Sequence, residues 1–215
     1  MTEFRAEMSQ LTSRKGWAKV SYDQRTWIPC PLGLPEGWDH GRWAREFAAA
    51  WWGLSGLPHG QTELEKLTTL LDYVYESTWG PDARIPCHLV FIHLPDPRML
   101  PLPVYLSIFR ALGPKEEHLR SLARVDDPGA VKLPDVGEFS TPNLGPGLRV
   151  LRYVRGEDEG EVDVGLSYVW RSEQYETDLR LFAGTFDLAR MEQAMPDIDE
   201  LARQITVVPS ELWAD

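Results

Sequence analysis

Cysteine is scarce in this chain: Cys30 in IPCPL and Cys87 in IPCHL are the only two among 215 residues. Two thiols make no disulfide framework, and these lack the paired spacing of a zinc site. Both are expected to be reduced and buried. Long apolar runs are also missing, and none approaches the ~20 residues that a membrane-spanning helix requires. The opening MTEFRAEMSQLTSRKGWAKV has no apolar stretch of the kind a secretory leader carries. The expected location is therefore cytoplasmic, with no membrane contact. The length suits one domain over 1–215, with 1–16 as a flexible arm.

Positive charge runs short in one half. The net charge is −11, and residues 111–215 carry 11 Lys and Arg against 21 Asp and Glu, while residues 1–110 carry 11 against 12. Such a surface repels phosphate backbones, because nucleic-acid affinity depends on cationic side chains displacing counterions. Direct DNA or RNA binding is excluded on that ground. An acidic face fits a basic protein partner, and it equally serves solubility. Motifs of known chemistry are absent too: there is no G-x-S-x-G elbow, no P-loop and no G-x-G-x-x-G stretch. With 43% hydrophobic and 26% charged residues, what is present is an ordinary soluble globular composition.

The periodicities give an α+β fold. Trp17 to Trp27 alternates and is β-prone, which predicts a strand or hairpin before the Pro/Gly-rich PLGLPEG. Asp39 is placed to cap a helix from about His40 to Gly53. On a wheel of ~100° per residue, Trp43, Phe47, Ala50, Trp51 and Leu54 share one face, and Trp52 points nearly opposite. A second helix is predicted in QTELEKLTTLLDYVYESTWG, with Thr62 and Glu65 as a capping box, Gly80 as its stop, and a stripe of Leu64, Leu67, Leu70, Leu71, Val74 and Tyr75. The short linkers make the two helices an antiparallel, Trp-rich pair. Arg84 to Leu94 reads as a central strand, nearly continuous in apolarity. VYLSIFRALG reads as a short amphipathic helix and KEEHLRSLAR as its polar continuation.

From Gly147 an antiparallel meander is expected. LRVLRYV is one strand, GEDEGE a turn, and VDVGLSYVW a strand with Val162, Val164, Leu166, Tyr168 and Trp170 on one face and Asp163, Gly165 and Ser167 on the other. YETDLRLFAGTF supplies another strand. Asp187 then caps LARMEQAM, Pro196 interrupts, and Asp197 with Glu200 offers a second cap. LRVLRYV, VDVGLSYVW and LRLFAGTFDLARMEQAMPDIDELARQITVV, the last third of the chain, resemble the closing strands and helix of PsbP-like domains, including the LpqN-like proteins of actinobacteria. That resemblance implies an antiparallel sheet flanked by helices, and a protein-binding or secretion-linked accessory role. The Trp-rich N-terminal half departs from it.

Candidate chemistry is sparse. His88 and His93 stand on opposite faces of one expected strand, and Cys87 and His93, on one face, are ~20 Å apart at ~3.3 Å per residue. His40, His59 and His118 fall on separate elements, so no metal site and no cofactor are assigned. Cys87 beside His88 points away from it and gains no general base. Arg42 and Glu46 have the spacing of an exposed helical ion pair.

For partner binding, two kinds of residue stand out. Trp52 and Trp170 are large aromatics of the type found at binding hot spots. Glu157, Asp158 and Glu159 sit at a turn where they can steer a basic protein. The expected function is a non-catalytic protein-binding module, such as a secretion-linked accessory chaperone or an immunity-type inhibitor, whose partner is basic or presents an amphipathic helix. The alternative is a small-ligand binder or hydrolase-type enzyme with a pocket drawing His40, Glu46, His59, His93 and Asp96 together between the helices and the sheet.

Overall fold

The computed structural model describes residues 15–81, 83, 85–156 and 161–210. The chain divides into two compact units: Met1–Tyr22 with Val104–Asp215, and Asp23–Pro103. It is α+β, with antiparallel sheet, an N-terminal helical pair and a C-terminal helix. No helix among the described residues is long and apolar enough to cross a membrane.

The 23–103 unit holds strands β2 (Trp27–Cys30) and β3 (Leu89–His93), paired antiparallel, and helices α1 (His40–Ser55) and α2 (Gln61–Trp79). The Asp39 side chain accepts the Arg42 N–H at 2.7 Å, so the expected cap forms. The buried face of α1 is Trp43, Ala44, Ala48, Trp51 and Trp52. This corrects the expected stripe: the buried arc is turned toward Trp52, and Leu54 is 79% exposed. In α2 the cap lies earlier than expected, with Glu63 Oε2 accepting the Gly60 N–H at 3.0 Å, while Leu67, Leu71, Val74 and Thr78 form the buried row. Cys30 and Cys87 are buried free thiols, and loss of hydration on burial pushes both up to about 12. At neutral pH they lack the thiolate needed for nucleophilic or redox chemistry.

The other unit contains β1 (Gly16–Val20), β4 (Leu102–Arg110) from Val104 onward, β5 (Asp135–Thr141), β6 (Gly145–Arg155), β7 (Val162–Ser172), β8 (Thr177–Thr185) and β9 (Ile205–Pro209), with α3 (Lys115–Leu122) and α4 (Leu188–Arg203). Strands β4, β8, β7, β6 and β5 lie side by side in that order, and β1 pairs with β9. The 102–110 segment is thus a strand and not a helix: Val104 to Ile108 are buried without a break, on both faces, leaving no polar side for an amphipathic helix. Helix α4 runs unbroken through Pro196, because Met191 and Ala194 before it and Ile198 and Leu201 after it all lie in the core. Capping by Asp187 holds, with its carboxylate accepting the Arg190 N–H at 2.9 Å.

Register sets the two faces of the meander. Leu166, Tyr168 and Trp170 of β7 oppose Ala183, Leu181 and Leu179 of β8, and α4 covers this face. Tyr168 Oη donates to Asp199 Oδ1, and Arg149 Nε donates to the same oxygen at 3.2 Å, fastening the helix to the sheet. On the opposite face, Leu119, Ala123 and Val125 pack on Val150 and Val169.

Candidate functional site

The expected aromatic anchors are core residues. Trp52 is 2% exposed and its ring stacks on that of His59 at 5.0 Å. Trp170 is fully buried, its indole seated where Gly147 has no side chain: an added Cβ there would come within 2.3 Å of Trp170 Cδ1. Neither ring can contact a partner without unfolding its surroundings, which corrects their assignment as docking residues. Glu157, Asp158 and Glu159 lie outside the described residues.

The five pocket candidates do not form one site. His40 Nδ1 contacts Asp72 Oδ1 at 2.6 Å and its Nε2 contacts Glu76 Oε1 at 2.9 Å, bridging α1 to α2. His59 lies against Trp52, while buried His93 packs on Trp27 at 4.8 Å. Asp96 accepts both the backbone N–H and the guanidinium of Arg98, which holds its carboxyl below the usual range. Glu46 is exposed on α1, and Arg42 lies over the Trp38 ring at 4.5 Å in place of an ion pair with it. Among the described residues no group of three or more His, Cys, Asp or Glu side chains could hold a metal.

His40 makes a pH prediction of definite sign. The hydrogen bond to Asp72 raises its pKa above the ordinary 6.5, against the opposing effect of desolvation. Its contribution to stability is complete below 6.5 and is lost as pH rises through the higher folded value. Thermal melts of the wild type and His40→Asn across pH 6 to 9 check this. The difference in melting temperature between them should shrink with increasing pH, and a constant difference would contradict the assignment.

A cavity of about 500 Å³ does open in this unit, elsewhere on the helix. Trp51 Nε1 donates to the Leu94 carbonyl at 2.8 Å, which fixes the indole beside the end of β3. Around it stand Leu54 and Ser55 from the last turn of α1, Gln24 and Arg25 from one loop, and Pro95 and Pro97 from another. Both loops are stiffened locally. Asp23 Oδ1 accepts the Arg25 N–H at 2.9 Å, and Asp96 Oδ1 accepts the Arg98 N–H at 2.9 Å, each an Asx turn. The result is a groove with an apolar floor, proline walls and donor side chains at its edge. The helical wheel puts Trp51 and Leu54 on one core-facing stripe, whereas in the fold Trp51 is buried and Leu54 stands outside. The proline-rich LPDPRMLPLP directly after β3 was the available signal that a rigid loop would wall this end of the helix.

No protein-family model matches the chain, and no curated protein matches it. Solved structures similar to it include LpqN of Mycobacterium tuberculosis, described as involved in cell envelope biogenesis, at 12% identity and a TM-score of 0.43 over 90% of this chain and 92% of that one. The Ran-binding protein Mog1p of Saccharomyces cerevisiae is similar at 12% identity and a TM-score of 0.43, over 64% of this chain and 87% of that one.

Proposed function

We propose that this chain is a non-catalytic, cytoplasmic protein-binding module of the accessory-chaperone type, and that the Trp51 groove receives an amphipathic segment of a basic partner. The observation that carries the reading is Leu54: a leucine 79% exposed beside a preformed apolar cleft. Exposed apolar surface rimmed by polar groups marks an interaction site when it is concave and rigid. Gln24 and Arg25 supply donors for the carbonyls of the incoming segment, and the Asx turns reduce the ordering that binding would otherwise require.

Charge supports the same partner class. The net −11, concentrated in the second half, and the Glu157, Asp158, Glu159 run favour association with a basic protein, so the association rate should fall steeply with added salt. A chaperone reading is preferred to an immunity-type inhibitor because a groove with apolar walls is present, whereas an inhibitor needs only a charged face.

The experiment is photocrosslinking in the native cell from a reactive residue at position 54, with position 133 as reference. Leu133 is 91% exposed and lies outside the groove. One dominant adduct from position 54, mapped to an apolar segment of a basic protein and absent from position 133, is the expected result. Identical adducts from both positions, or none from position 54, would overturn the reading.

A further inference from the structure

The face of the meander opposite α4 carries a cluster of arginines beside the packed apolar residues. Ser167 of β7 is flanked diagonally by Arg152 of β6, which pairs with Gly165, and by Arg180 of β8, which pairs with Val169. All three project to one side of the sheet. The Arg152 side chain is 5% exposed, and its Nη2 lies over Gly165, only 3.5 Å from where a Cβ would stand. Arg180 lies over the Phe182 ring at 4.5 Å. Arg152 Nε, Arg180 Nε and Ser167 Oγ are all buried without a hydrogen-bond partner. Buried donors of this kind are normally satisfied, so three in one patch call for an acceptor.

A third arginine arrives by an unusual route. After α3 the Arg124 N–H bonds the Ser121 carbonyl and the Val125 N–H bonds the Arg120 carbonyl, the paired closure of a Schellman motif. The left-handed position of that motif usually takes glycine, and here Arg124 occupies it with φ 53°. A strained residue at such a place points to a use for its side chain. Arg124 lines an open cavity of about 580 Å³ together with Asp127. Asp127 Oδ2 accepts from Arg152 Nη1 at 2.5 Å, so one residue of the cavity wall is bonded directly to the patch. In that cavity Arg120 is paired with Asp126, and Glu117 is a further carboxylate on its wall. Arg124 and Arg180 have no carboxylate partner among the described residues. Burial, with the neighbouring Arg124 and Arg152 charges, pushes Arg180 down to about 10, so it stays protonated at neutral pH.

We propose that Arg124, Arg152, Arg180 and Ser167 form a binding site for a phosphate dianion, free or as the end of a phosphate monoester. Guanidinium groups suit this ligand because their planar donors match two oxygens at once, and a dianion balances Arg124 and Arg180, which lack a carboxylate partner among the described residues.

Calorimetric titration of the full chain with inorganic phosphate and with phosphoserine, using acetate as a monoanion reference, tests it. Saturable one-site binding of phosphate or phosphoserine is expected, with the tighter of the two naming the source. Arg180→Gln should weaken it about tenfold or more. Asp127→Asn, which removes the competing carboxylate, should tighten it severalfold. Arg124→Gly relieves the left-handed backbone and should raise the melting temperature while weakening phosphate binding, an opposition that a purely structural arginine would not produce. Absence of saturable binding, acetate binding as tightly as phosphate, or undiminished affinity in Arg180→Gln or Arg124→Gly would overturn the proposal.

Discussion

Replacing Asp178 with alanine is expected to destabilise the protein by about 3–5 kcal/mol, the typical consequence of leaving a buried charge without its counterion. Asp178 is fully buried on β8, where its two oxygens accept from Arg171 Nε and Nη2, each at 2.7 Å, and from His118 Nδ1. Arg171 also donates to the carbonyls of Gly113 at 2.9 Å and Leu112 at 3.0 Å. One carboxylate thus holds the β7–β8 hairpin, the loop before α3 and α3 itself in register. Urea unfolding of wild type and Asp178→Ala measures the difference. A loss under about 1 kcal/mol, the range of an exposed pair, would show that the buried network is not formed. Asp178→Asn keeps the shape and should fall between the two.

Acid should weaken the protein through His88, and the sign follows from burial. His88 is 8% exposed, and loss of hydration on burial pushes its pKa down from 6.5 to about 4. The folded chain therefore binds this proton more weakly than the unfolded chain does. The contribution is intact above 6.5 and is lost as pH falls toward 4, which at ~1.36 kcal/mol per pKa unit amounts to about 3 kcal/mol. Carboxylates held low by partners, such as Asp96 and Glu176, add acid sensitivity of their own. The informative quantity is accordingly the difference between wild type and His88→Gln. Between pH 6.5 and 4 the variant should lose about 3 kcal/mol less stability than the wild type, and parallel curves would contradict the assignment.

The fold was legible wherever a local rule acted alone. Asp39 and Asp187 cap their helices because a carboxylate before an apolar-periodic run has the first N–H groups within reach. The meander of β6, β7 and β8 was readable because alternation leaves little choice of face. Misreadings came where tertiary packing decides. In α1 the helix period permits several arcs, and the structure buries the one containing Trp52, so the residue singled out as exposed is inside and Leu54 is outside. The 102–110 segment alternates too little to distinguish a buried strand from a helix, since both its faces are covered.

The candidate sites were less legible for a related reason. The Trp51 groove depends on two loops meeting the end of α1, and such convergence leaves no periodic trace. The Arg124, Arg152 and Arg180 cluster joins β6, β8 and the close of α3 across 57 sequence positions, from residue 124 to residue 180 inclusive. The clearest local sign was an arginine in the chain position where a helix usually ends on glycine.

The most direct test of partner binding is the equilibrium affinity of the partner crosslinked at position 54, measured with purified wild type, Leu54→Asp and Leu133→Asp. Both substitutions replace exposed leucines and should leave stability nearly unchanged. Burying a leucine side chain is worth about 1.5–3 kcal/mol, which predicts affinity roughly ten- to a hundredfold weaker for Leu54→Asp and unchanged for Leu133→Asp. Equal affinity for all three proteins, or an equal loss in both variants, would contradict the assignment of the Trp51 groove as the docking site.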